Sequence, residues 1–367
     1  MLAYRGEVPW HGLGFSVGDL ATGDEMLVTA KLNWPVECRK IAVAVPAGKG
    51  TAWSAEKVAN YKAISRGDTG EVFTIATGDY HPVQNKDIVD FFGEYCAAGN
   101  AKLETVGGLK GGRVVWALAK LAGTDDSVGA KGVDKVEGYM LLATSHDGSI
   151  RTIGMPTEVR VVCWNTLSAA VGRYLTMRGE KVKIKRKQAA EEGVFLMKHT
   201  RKWSAQAAAE AKQTMGMAIE QIQATNALAR ELAKYQIDDE GRIEYVVRVM
   251  TDQKLIDEVV ADKGLHIADG KGILTALLEV QEKETTEQLL GTLGKQVLAA
   301  ITNSPGADLI TAKDTLWGCA NGVSYFTDHI RCRTQDRRLW NAWFGGCAQL
   351  KQHGMAVAAE MAGIKIR

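Results

Sequence analysis

The stretch MRGEKVKIKRK, residues 177–187, sets six lysines and arginines against one glutamate. In an extended strand Lys181, Lys183 and Lys185 point to one face, and Val182 and Ile184 to the other. Such a strand is a basic stripe pinned to a core, a shape that suits the tracking of a polyanion backbone. The charge continues beyond it. From Arg173 to Lys202 there are ten basic residues against three acidic ones, a local net of +7, in a chain whose formal net charge is only +2. The remainder is therefore acidic overall. A field segregated in this way attracts a polyanion through counterion release without making the whole surface adhesive. Trp164, Tyr174 and Trp203 lie close by in sequence and offer rings on which bases can stack. The expected phosphate contacts are Lys181, Lys183, Lys185, Arg186 and Lys187, with Arg160, Arg173, Lys198 and Arg201 as further candidates.

Other chemistry finds little support in residue spacing. Gly48-Lys49-Gly50-Thr51 lacks the leading glycine of a phosphate loop and reads as an ordinary turn, and H-E-x-x-H is absent. His146 falls in a turn, His199 in a basic helix and His329 in FTDHI, so no two share a local ligand spacing; the sequence leaves open whether folding joins them. The six cysteines are scattered and read as buried free thiols. No catalytic residue, metal or cofactor is expected.

The elements that must position the stripe change character along the chain. At 367 residues the chain can bury one large core or two ordinary ones. Residues 1–187 read as a β-rich α+β core with the basic strand at its end, and 188–367 as a helical region. Strands are expected at Lys40–Pro46 and Glu71–Ala76, and a helix at Asn85–Ala98 capped by Asn85. LETVGGLKGGRVVWALAKL predicts a glycine-rich hairpin with Val114, Trp116 and Leu118 on one face. His146-Asp147-Gly148 predicts a tight turn with positive φ at both central positions, followed by a strand and then a helix at Cys163–Tyr174 that Asn165 caps. Beyond it, helices are expected at Ala189–Tyr235, with Gly193 or Gly216 as the place of a break, at 242–250, 254–262 and Ile273–Thr302, with a break at NSPGAD and two further helices, the last holding RRLWNAWFGGCAQLKQHGMAVAAEMAG. Trp317, Tyr325, Phe326, Trp340, Trp343 and Phe344 are spaced as packed helix faces. The fold class is α+β, an N-terminal antiparallel hairpin sheet with packed helices ahead of a mostly helical region. No window has the apolar length of a membrane span, and the start lacks the order of a signal peptide, so a cytoplasmic protein is expected.

VGGLKGGRVVWALAKL, TSHDG, RVVCWNTLSAAV, MKHT and TLWGCANGVSYFTDH together resemble domain-of-unknown-function family 932 of phages, plasmids and integrated elements. The likeness spans most of the chain, from Trp10 to the last helices. It implies a mobile-element setting and brings no established activity. More distantly, strands closed by an H-D-G turn and followed by a basic-flanked helix look like the core of the single-strand annealing proteins of the Red-beta, RecT and Erf kind. That resemblance implies a curved sheet assembling into rings or filaments, with a basic groove holding single-stranded DNA. The large helical second half exceeds what such a core requires.

The function expected is binding and annealing of single-stranded DNA, or RNA, by a homo-oligomer, with no chemical step and no membrane. The alternative is a binding protein that occupies a host factor or counters host defence without nucleic-acid activity. A third reading is a metal-dependent hydrolase assembled from scattered histidines and aspartates.

Overall fold

The computed structural model describes residues 1–6, 14–47, 53–97, 99, 101–160, 165–167, 193–267, 269–332 and 334–365. The strands are β1 (Leu2–Arg5), β2 (Phe15–Val17), β3 (Val36–Pro46), β4 (Trp53–Arg66), β5 (Val72–Thr77), β6 (Ala101–Leu109), β7 (Val114–Leu121), β8 (Asp126–Val128), β9 (Asp134–Ser145), β10 (Thr152–Arg160), β11 (Asn165–Leu167) and β12 (Phe195–Met197). Helices α1 (Gly23–Thr29) and α2 (Asn85–Ala97) lie among them. After β12 come α3 (Ala205–Leu232), α4 (Asp239–Met250), α5 (Gln253–Lys263), α6 (Gly270–Val280), α7 (Thr286–Asn303), α8 (Leu316–Tyr325), α9 (Gln335–Phe344) and α10 (Gly346–Met361). The class is α+β. No helix among the described residues is long and apolar enough to cross a membrane. The chain forms two compact units, one from Met1–Gly123, Tyr139–Pro156 and Ile184–Ile219, the other from Thr124–Gly138, Thr157–Lys183 and Glu220–Arg367.

In the first unit the strands run β12-β10-β9-β7-β6-β1-β2. β1 and β2 pair parallel, and β6 pairs antiparallel with both β1 and β7. The glycine-rich hairpin of the sequence is present, closed by a 3-10 turn at Lys110–Gly112. Val114 to Ala119 are all buried, so β7 is a central strand covered on both faces, which explains its nearly continuous apolar run. Opposite Trp116 stands Gly107, where a Cβ would approach the indole to 2.5 Å. α2 buries Ile88, Val89, Phe91 and Phe92, and α1 begins with a reciprocal capping box between Thr22 and Glu25. β3, β4 and β5 form a separate antiparallel sheet in which β3 is an edge.

The second unit pairs β8 with the start of β9 and the end of β10 with β11. Its helices enclose a core around Tyr245, Trp317, Val323 and Phe326. Within that core Asp134 accepts hydrogen bonds from Trp317 Nε1 at 3.0 Å and Thr311 Oγ1 at 2.8 Å. The expected burial of the C-terminal aromatics holds for Trp317, Phe326, Trp343 and Phe344.

Several local expectations are corrected. Residues 165–167 are a strand paired with β10, not part of a capped helix, because an open ladder edge satisfies their backbone groups. Val194–Met197 are likewise taken from the expected long helix: β12 pairs with β10, and α3 starts only at Ala205. The Ile273–Thr302 helix is divided at the wholly polar turn Gln281–Glu284, where Glu282 adopts φ +52° and there is nothing apolar to bury. The last helix divides at Gly345, whose backbone is extended. Of the described cysteines only Cys319 and Cys347 are buried; Cys38 is exposed, and Cys96 and Cys332 are half-buried.

Gly318, in the first turn of α8, packs so closely that an added Cβ would fall 1.9 Å from the Ala312 carbonyl oxygen. Gly318→Ala is therefore expected to lower unfolding stability by about 3 kcal/mol or more. Gly216→Ala, in open space on α3, is expected to raise it by up to about 1 kcal/mol. Urea unfolding of both variants checks the pair, and equal midpoints would refute the packing account.

Candidate functional site

Two sequence blocks, TSHDG and MKHT, come together in the first unit. Ser145 ends β9, and its Oγ donates to the Ile150 carbonyl at 2.7 Å while accepting the Ile150 N–H at 3.1 Å, which pins the loop between β9 and β10. The loop spans 146–151 and is longer than the expected tight turn. Only Gly148 has positive φ; Asp147 instead accepts the Ser149 N–H on Oδ1 at 2.9 Å. The same Ile150 carbonyl accepts a second bond, from His199 Nε2 at 2.7 Å. That bond and the β12–β10 ladder fix the chain just after the basic segment.

His146 is fully buried beside this loop. Its backbone N–H donates to the Arg113 carbonyl at 2.7 Å. Its ring stacks on Phe73 and meets the edge of Trp34, with centroids 5.8 and 5.7 Å away. Nε2 lies 2.9 Å from Asn85 Oδ1. The Asn85 amide is oriented by its Nδ2 bonds to the Leu32 and Trp34 carbonyls, so its oxygen must face the histidine and the His146 proton resides on Nε2. A carbonyl can only accept, so the His199 proton is on Nε2 as well. Both Nδ1 atoms are buried lone pairs with no hydrogen-bond partner among the described residues. Asn85 is the first residue of α2, and its side chain reaches inward; the expected cap is replaced by this polar junction.

Burial is the main cause that holds His146 down to about 3, with nearby His199 adding to it and Asp147 opposing it. His199 is also lowered, again chiefly by burial, against the stabilising bond to Ile150. Tyr80 stacks on the His199 ring at 4.8 Å and donates from its hydroxyl to the Ser145 carbonyl at 3.0 Å, and burial pushes its phenol up. The cluster is thus a set of neutral, oriented rings that tie α2, the β9–β10 loop and the residues after β12 to one point. Among the described residues no group of three His, Cys, Asp or Glu side chains is placed to hold a metal ion. His329 belongs to the second unit, where it stacks on Tyr325.

The expected nucleic-acid contacts fall into two groups. Trp164, Arg173, Tyr174, Lys181, Lys183, Lys185, Arg186 and Lys187 lie outside the described residues, as does the 48–51 turn. Arg160 closes β10, its backbone paired with Asn165. Lys198 is exposed between buried Met197 and His199. Arg201 is engaged by both carboxylate oxygens of Glu210, at 2.7 and 2.8 Å. Asn85 and Tyr80 were not singled out as site residues from the sequence, where YHPVQN reads only as the lead-in to a helix.

Fold and site together define an α+β protein whose sheet carries a buried histidine junction at the end of a basic segment. Residues 72–343 match the family model described as domain of unknown function DUF932, and the chain belongs to that family. No curated protein and no solved structure matches it.

The junction makes a pH prediction. In the unfolded chain His146 titrates near its ordinary 6.5, in the folded one near 3. Above 6.5 both states are neutral and the full stability is present. As the pH falls from 6.5 toward 3, the unfolded chain takes up a proton that the folded state refuses, and stability is lost by about 1.4 kcal/mol per pH unit. His146→Gln keeps a donor toward Asn85 but nothing that titrates. Its urea-unfolding free energy is expected to fall by about 1–3 kcal/mol at pH 8, with a shallower acid slope than the native chain. An unaltered slope would remove His146 as the cause.

Proposed function

We propose that this protein binds single-stranded nucleic acid along the basic segment and promotes annealing as a homo-oligomer. The observation that carries the reading is the anchoring of the chain just beyond that segment. β12 and His199 hold the chain on the sheet, while Lys198 between them stays in solvent. A chain tied to the sheet at that point presents Lys198 to a phosphate with little ordering entropy, and annealing requires neutralised phosphates with base edges left free. Lys181, Lys183, Lys185, Arg186 and Lys187 make the phosphate contacts, with Arg160, Arg173 and Lys198 extending them and Trp164 or Tyr174 stacking. Arg201, already held by Glu210, contributes less. The distant likeness to single-strand annealing proteins points the same way.

Assembly is favoured by the β3–β4 arm. β3 is an edge strand, the outer half of β4 pairs only with β3 among the described residues, and Val43 and Trp53 are exposed on the arm. Such edges pair readily with another chain. The same surface supports a second reading, a contact with a host protein that involves no nucleic acid.

Replacing Lys181, Lys183 and Lys185 together with glutamine is expected to leave the fold intact. It should reduce the slope of log affinity against log salt for an oligonucleotide by about one for each phosphate that is no longer neutralised. Fluorescence anisotropy across a salt series measures this, and an unchanged slope would return the segment to an ordinary solvated surface. Solution mass measurement is expected to give a species well above a dimer when a long oligonucleotide is present. A strict monomer would remove annealing and leave simple binding.

A further inference from the structure

The foot of the β3–β4 arm gathers positive charge from three parts of the chain that are distant in sequence. Lys40 stands directly opposite Lys62 in the β3–β4 ladder. Like charges facing each other across a ladder are unfavourable unless something outside the sheet compensates them. Lys62 Nζ donates to the Gly78 carbonyl at 3.0 Å, and the Gly78 N–H returns a bond to the Asn60 carbonyl at 2.8 Å, which brings the 78–81 turn against β4. The His81 N–H then donates to the His199 carbonyl at 2.5 Å, drawing in the segment that carries Lys202. Nearby Arg39 and Arg66 are neutralised by Glu37 and Asp68. Lys40, Lys62 and Lys202 pair with no carboxylate among the described residues.

We propose that Lys40, Lys62, His81 and Lys202 form a phosphate-contacting surface of the first unit that takes the backbone of single-stranded nucleic acid, in addition to the basic segment. The inference rests on the nucleic-acid reading above and joins Lys202, the last residue of the basic run, to Lys40, Lys62 and His81, which the sequence did not single out. The charged groups whose fields reach the His81 imidazole are Lys202 from the segment after β12, Lys62 from β4, and Asp79 from its own turn. Partial burial first, and then Lys202 and Lys62, lower its proton affinity against the opposing pull of Asp79. A phosphate seated among the lysines reverses that repulsion, so His81 holds its proton to higher pH when nucleic acid is bound.

The test uses the full chain and an oligothymidylate, read by anisotropy from low to moderate salt. The triple variant K40Q/K62Q/K202Q is compared with K254Q/K271Q/K295Q, which removes the same charge from exposed lysines of the second unit. The first is expected to weaken binding at least about tenfold and to flatten the salt slope by about two to three. The control is expected to change affinity less than about twofold, because most non-contacting charges are screened by salt. In NMR titrations of the native chain the His81 ring is expected to titrate at higher pH with the oligonucleotide bound. Native binding with both triple variants equally affected, or with an unmoved His81, would overturn the surface while leaving the nucleic-acid reading intact. No binding by the native chain at low salt would take down that reading and the surface with it. If the K40Q/K62Q/K202Q variant lost affinity for polyglutamate but not for the oligonucleotide, the surface would belong to an acidic protein partner instead.

Discussion

The hydrogen bond between neutral His146 and Asn85 is the constraint on which the rest of the first unit depends. A charged imidazole cannot be sustained in that interior, and an unpaired Asn85 would leave a buried carbonyl oxygen unsatisfied. Satisfying both fixes the start of α2, the Leu32 and Trp34 carbonyls ahead of β3, and the loop that follows β9. Ile150, at the end of that loop, offers one carbonyl to both Ser145 and His199, so the placement of the chain after the basic segment follows from the same junction.

The second unit makes the same electrostatic demand, for a neutral group, on a side chain of the other kind. Glu158 on β10 is fully buried, and burial raises its carboxyl well above the ordinary range, with Thr225 opposing. Its folded form therefore favours the bound proton, whereas the histidine junction favours the bare ring. Where this unit retains charge in its interior, it pairs it: Lys351 with Asp328 at 2.9 Å, and Arg248 with both Glu244 and Glu360. Breaking one member of such a pair costs more than the pair contributes, because a lone buried ion remains.

The positive surfaces have different origins. The basic segment is contiguous in sequence and visible as composition. The Lys40, Lys62, His81 and Lys202 cluster arises from a ladder register, a turn and one backbone hydrogen bond, and no window of the sequence contains it. Residues around such a cluster illustrate why exposure must be read together with pairing. Arg39, Arg66 and Arg201 each meet a carboxylate, while Lys40, Lys62 and Lys202 meet none among the described residues.

Local periodicity and turn chemistry made much of the architecture legible in the residues alone. The α+β class, the GGLKGG hairpin, the strand within 36–46, α2, the two short helices after residue 238 and the burial of the C-terminal tryptophans Trp317 and Trp343 all follow from signals within a few residues. Where the alternative was a long-range pair, those signals failed. Asn165–Leu167 and Phe195–Met197 read as helix in isolation but become strands because β10 offers each an open edge. Asn85 reads as a cap, yet turns inward because two carbonyls and a histidine await it across more than fifty residues of chain. TSHDG and MKHT were visible as separate blocks, but their meeting at Ile150 was not. Sequence pattern records what each segment prefers with its nearest neighbours. Backbone ladders and buried polar groups must be satisfied by partners far along the chain, and only the tertiary structure decides which partners those are.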